Sequence, residues 1–180
     1  HSFPTRRSSD LLIMNIFYLS KNWKRAAGMH CDKHVCKMLV EYAQLMSTAH
    51  RVLDGENVIS EDLYKITHKN HPCAIWVREN EQHYTWLSLM FGELSKEYTK
   101  RYGKTHASWS KLHWSLGFPP KNIVQKKWVD PPQCMPDAYT VEGDCIRAYW
   151  NYYELDKCKI ANKNEQKISR PLNKHELQWN

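Results

Sequence analysis

Four polar residues, His30, His34, Lys37 and Glu41, recur at spacings of four, three and four along one stretch of the chain. On an α-helix, seven residues fall about 20° short of two full turns. His34 and Glu41 therefore share a face, and His30 and Lys37 lie on it too. Imidazole, ammonium and carboxylate groups held at the edge of an apolar face shift one another's pKa, which is the raw material of acid–base or Schiff-base chemistry. A different chemistry is also open. His30 and His34, at i and i+4, can share one divalent metal, with Glu41 or His71 completing the set, by a looser version of H-E-x-x-H logic. The same spacing is also that of an exposed Lys37–Glu41 ion pair, worth roughly a few tenths of a kcal/mol, beside two boundary histidines.

A second group, Lys65, Thr67, His68, Lys69, Asn70, His71 and Arg78, surrounds the expected start of a helix at Pro72. Unpaired N–H groups and the positive end of the helix dipole favour an anion there. The natural guest is a phosphate of a nucleotide or of a DNA backbone. Phosphate contacts are assigned to His68, Asn70, His71 and Arg78, with Arg51 beside them. A third group is aromatic. Tyr149, Trp150, Tyr152 and Tyr153 cannot all face one way on a helix, so Tyr152 is expected at the surface. Beside Lys157 and Lys159 it can stack on bases. The plainer alternatives are a solvated basic turn and an aromatic face given over to core or partner contacts.

The elements that must position these groups are helices. Val35, Met38, Leu39, Tyr42, Met46 and Ala49 follow i, i+3, i+4, i+7, i+11 and i+14, which predicts a long helix from about Met29 to Leu53, ended by Asp54-Gly55. Before it, Asn15 to Leu19 reads as a small strand or extended lead-in, with Ser20 capping a helix from Lys21. Residues 54–70 read as a polar connection with a short helical stretch near Glu61 to Ile66. Asn70 then caps a second long helix, Pro72 to Tyr102, whose Val77, Tyr84, Phe91 and Tyr98 recur at strict sevens and which Gly103 ends. A shorter helix, Thr105 to Leu116, leads into an ordered, proline-rich loop over residues 118–142. Asp144 caps a last helix from Cys145 to about Ala161, with Ile146, Tyr149, Trp150 and Tyr153 facing inward. The fold class is mainly α: two long packed helices, the proline-rich loop and a C-terminal aromatic helix.

Composition bounds the partners. The chain has 180 residues and a formal net charge of +7, with eight Trp and ten Tyr. That length suits one domain with a real core, and the basic balance favours nucleic acid or nucleotides. Six cysteines include no C-x-x-C pair, which argues against a zinc ribbon or finger. No apolar run is long enough for a membrane span, so reduced thiols and a cytoplasmic location are expected. Residues 1–13 have no periodicity and resemble translated sequencing-adaptor read-through, a non-native leader before a natural start at Met14. A single helical domain is expected over 14–161, followed by a polar, Lys-rich tail over 162–180.

Taken together, these residues resemble the phage pyrimidine-dimer DNA glycosylases of the endonuclease V type. Members of that family carry Asp-x-His on a long central helix, with a catalytic Glu seven residues after the His. Asp32-Lys33-His34 and Glu41 match that pattern without a gap. His71, Trp76 and Tyr84 follow in an order similar to the family's next helix, and Trp150, Tyr152, Tyr153 and Lys157 are similar to its closing aromatic cluster. The likeness spreads over most of residues 14–160. The runs HCDKHV and THKNHPC also look like those of marine phage proteins, which implies a viral protein at work in a host cytoplasm. The resemblance implies a DNA-binding glycosylase or lyase acting on a damaged or modified base, without a cofactor. Glu41 would be catalytic, His34 would orient it, and the target nucleotide or its partner would leave the base stack. One departure stands out. The family attacks the sugar with the amine of a small residue exposed by loss of Met, whereas the bulky Asn15 follows Met14. Lys37, one helical turn from both His34 and Glu41, is the alternative amine, provided that it is partly desolvated. A metal-dependent helical enzyme using His30, His34 and His71, and a non-catalytic phage accessory protein that binds nucleic acid, are the competing readings.

Overall fold

Helix formation follows the apolar periodicity closely, and its interruptions follow side-chain caps. A computed structural model describes residues 14–157, with the backbone alone for 156 and 157. The expected leader and the Lys-rich tail lie outside the described residues. The helices are α1 (Trp23–Gly28), α2 (Asp32–Asp54), α3 (Pro72–Glu79), α4 (Glu81–Tyr102), α5 (Ala107–Leu116) and α6 (Cys145–Tyr152). Short 3-10 turns occupy Gly55–Asn57 and Asp137–Tyr139, and a π turn spans Tyr153–Lys157. No strand occurs among the described residues. The mainly α class expected from the periodicity is what the chain adopts.

Helix α2 is the centre of the fold, packing against α3, α4 and α5, while α1 packs on α4. The apolar positions that predicted it, from Val35 to Ala49, are all buried. Its start differs from expectation. Cys31 is extended (φ −67°, ψ 159°) and serves as the N-cap, so His30 lies outside the helix. Residues 15–19 are not a strand. They are a buried lead-in threaded through the core, where Tyr42 Oη accepts the Phe17 amide (3.2 Å) and the Leu19 carbonyl accepts Trp150 Nε1 (2.9 Å).

Helix α1 is capped by Asn22, whose Oδ1 accepts the Arg25 amide (3.0 Å), rather than by Ser20, which accepts the Asn22 amide from outside the helix (3.2 Å). No helix forms over residues 61–66. Arg51 shapes that segment instead, donating to the carbonyls of Glu61 (3.1 Å), Leu63 (2.7 Å) and Tyr64 (2.9 Å). The run from Pro72 to Tyr102 is not one helix. Asn80 is extended (φ −156°, ψ 160°), and its Oδ1 accepts the His83 amide to cap α4. An Asx side chain offers the backbone this alternative partner wherever the ladder can be interrupted. The proline-rich loop supplies the compensation, since the Val124 carbonyl accepts the Glu81 amide (2.8 Å) and the Lys127 carbonyl accepts Asn80 Nδ2 (3.2 Å). The sevens row survives the break, with Val77, Tyr84, Phe91 and Tyr98 all buried. Gly103, at φ 68°, ends α4 in the left-handed conformation that favours glycine.

Candidate active site

The first turn of α2 is set by a guanidinium from the far end of α4. Arg101 Nη1 donates to the His30 carbonyl (2.7 Å) and to Asp32 Oδ1 (3.1 Å), Nη2 to the Gly28 carbonyl (3.0 Å), and Nε to Glu97 Oε2 (3.0 Å). Asp32 thus anchors the α1–α2 turn. Arg101 had no signal in the sequence beyond an i, i+4 partner in Glu97.

His34, in that first turn, is buried against the lead-in and the last helix. Its ring stacks on Phe17 with centroids 4.4 Å apart. Its Nδ1 lies 3.1 Å from Tyr153 Oη, which also accepts the Cys31 amide at 2.6 Å. A hydroxyl that accepts from an amide keeps both a proton and a second lone pair, so Tyr153 hydrogen-bonds His34 Nδ1 in either tautomer of the ring. Glu41 lies two turns further along α2. It is 5% exposed, and its Oε1 is 3.2 Å from Lys37 Nζ. About half of the Lys37 side chain stands in solvent, at 52%. The pair therefore spans the boundary, with the carboxylate inside and the ammonium at the surface. The desolvation expected of Lys37 is partial at most.

His30 has a different setting from the rest of the stripe. Its Nδ1 donates to the Ala26 carbonyl (2.7 Å), and its Nε2 faces Tyr42 Oη (2.8 Å). Because a carbonyl only accepts, Nδ1 carries the proton and Nε2 accepts from Tyr42, which in turn accepts the Phe17 amide. Burial pushes the His30 pKa down to about 3, so the ring is neutral. Both ring nitrogens are committed to the protein, which leaves none for a metal of the kind that the competing reading places between His30, His34 and His71.

The basic cluster separates by role. His68 and Asn70 are exposed, and His68 adopts φ 45° with its Nδ1 2.7 Å from Thr67 Oγ1. His71, rather than Asn70, caps α3, its Nδ1 accepting the Cys73 amide (3.1 Å). Arg78, in the last turn of α3, is half-buried, and its Nη1 makes no hydrogen bond among the described residues. Burial lowers its pKa. Arg51 has the carbonyl partners named above and a 4.0 Å approach to Glu61 Oε2, so its guanidinium is engaged within the protein. Tyr152 requires a correction. It is fully buried, between Phe17 (centroids 6.5 Å) and Tyr139 (5.4 Å), because the 3-10 turn at Asp137–Tyr139 folds over the face expected to be open. The side chain of Lys157 lies outside the described residues.

Residues 14–111 match the family described as pyrimidine dimer DNA glycosylase. That span includes α1 to α4, His34, Lys37, Glu41 and the basic cluster. No curated protein and no solved structure matches the chain.

Proposed function

Because the chain belongs to the pyrimidine dimer DNA glycosylase family, which supports a DNA glycosylase-like function, we propose that it excises a damaged or modified base from duplex DNA through the Lys37–Glu41 pair. The observation that carries the reading is the buried Glu41 carboxylate 3.2 Å from an amine that reaches solvent. In this mechanism Glu41 takes a proton from Lys37, and the neutral Nζ attacks C1′ of the flipped nucleotide. A bond from Nζ to C1′ forms as the glycosidic bond breaks. The base leaves with the bonding pair and takes up a proton. That proton comes from Glu41, which regains its negative charge as the base departs and so stabilises the cationic sugar. Opening of the sugar ring then gives an iminium linking Lys37 to DNA. Tyr153 and Phe17 orient His34. His68, Asn70 and Arg78 supply phosphate contacts.

Borohydride trapping on a duplex containing a cyclobutane pyrimidine dimer tests this reading. A covalent protein–DNA adduct is expected, lost in Lys37→Ala. No adduct on any damaged or modified duplex would overturn the enzymatic reading. An adduct that survives Lys37→Ala would move the nucleophile elsewhere.

A further inference from the structure

The cap of α3 and the proline-rich loop bring three metal-ligating side chains to one point. His71 and Cys73 come from the start of α3, and Cys134 comes from the loop 61 residues beyond Cys73. Their ligand atoms all lie within 4.8 Å of one another. Cys73 Sγ and Cys134 Sγ are 3.6 Å apart. Two thiolates held at about 2.3 Å on one tetrahedral zinc stand about 3.8 Å from each other. A disulfide needs about 2.05 Å, and neither cysteine is in one. The thiol pair is therefore already spaced for a shared ion.

We propose that His71, Cys73 and Cys134 bind one thiophilic divalent metal ion, zinc by preference, with solvent in the fourth position. Two thiols and an imidazole, with no carboxylate among them, select zinc over magnesium, calcium or manganese. His71 Nδ1 already accepts the Cys73 amide, so the ion takes the imidazole through Nε2 or by displacing that cap. The ion staples the loop to α3, and the loop in turn holds the lead-in. The Cys134 carbonyl accepts Asn15 Nδ2 (2.8 Å), while Tyr149 Oη bonds both Asn15 Oδ1 (2.7 Å) and the Pro132 carbonyl (2.6 Å). Neither Lys37 nor Glu41 takes part, so the site stands whether or not the chain processes DNA. The sequence conceals it because the two cysteines are far apart and neither belongs to a C-x-x-C pair.

The test uses the full chain, purified without a metal-affinity tag or chelator and kept reduced. Elemental analysis should find about one zinc per chain. Titration of the apoprotein with Co²⁺ should produce thiolate-to-metal charge-transfer absorption in the near ultraviolet. Cys134→Ser should cut zinc content and that absorption at least tenfold, and Cys145→Ser should leave both unchanged. A wild-type chain that neither retains zinc nor gives the Co²⁺ absorption overturns the proposal. So does full zinc content in Cys134→Ser, or recovery of Cys73 and Cys134 as a disulfide under the same reducing conditions. If Cys134→Ser fails to fold, the wild-type Co²⁺ spectrum still decides the matter.

Discussion

His30 and Glu41 are both buried polar residues, yet their surroundings assign them to different tasks. His30 has a carbonyl on one nitrogen and a tyrosine hydroxyl on the other, an arrangement that satisfies a neutral ring and leaves it inert. Glu41 faces an ammonium that stands at the surface, which gives a proton an exit. Glu41→Gln keeps the shape and removes the charge. It should lower single-turnover excision about 10²–10⁴-fold while leaving DNA affinity within a few-fold. Unchanged excision would remove Glu41 from the catalytic step. The His34–Glu41 spacing was legible because helix periodicity alone puts the two on one face. The inward fate of His30 was not, since it depends on Ala26 and Tyr42, whose approach spacing cannot show. Tyr152 was misplaced for the same reason, as its cover comes from a turn distant in sequence.

At the scale of elements, the division of the long second helix at Asn80 is the main departure from periodicity. The apolar sevens continue across it, and the run contains no Pro or Gly at the break, so local pattern predicts continuity. What interrupts the ladder is a cap on one side and loop carbonyls on the other. Beside it, His83 donates from Nδ1 to the Trp76 carbonyl (2.8 Å) and accepts the Val129 amide at Nε2 (3.0 Å), which ties both halves to the loop. Asn80→Ala removes a cap and leaves the Lys127 carbonyl without its donor. It should destabilise the chain by about 1–3 kcal/mol, read as a shifted denaturation midpoint. No measurable shift would mean that the break is held by the loop alone. The proline-rich loop was expected to be ordered, and its order has a visible source in Asp54, whose carboxylate accepts the Lys121 and Asn122 amides, each at 3.0 Å.

For the whole molecule, charge and buried imidazoles set the response to solution conditions. The net charge of +7 and the surface cluster around α3 predict DNA affinity that falls steeply with salt. Arg78→Ala should reduce the slope of log K against log salt by about 1, and an unchanged slope would remove Arg78 from the interface. Burial lowers the pKa of His30, His50, His83 and His106. A folded-state value below the unfolded one means that the unfolded chain binds more protons through the intervening range. Stability is therefore present in full above about pH 6.5 and is lost as pH falls. For His30 the loss continues towards about 3, at up to about 1.4 kcal/mol per pH unit. Thermal denaturation should show a falling Tm from pH 7 to pH 5. A flat Tm would show that these imidazoles charge without unfolding the chain. Among the described residues, no helix is long and apolar enough to cross a membrane.

The sequence by itself determined the helical class, the extent of α2 to within three residues at its start, the sevens row of buried residues, and the motif that leads to the family. All of these are local or periodic properties, written in the i, i+3, i+4 and i+7 relations that a helix imposes wherever it sits. Tertiary structure alone decided which polar residues of the stripe face a carbonyl, a tyrosine or an open edge. It placed Arg101 on the α1–α2 turn, broke the second helix at Asn80, and buried Tyr152. It also brought Cys134 to Cys73 across 61 residues. Contacts of that kind depend on how helices pack and where a loop returns, and no spacing within one element encodes them. The stripe that suggested chemistry is thus divided by the fold, with Lys37 and Glu41 at its boundary and His30 sealed within.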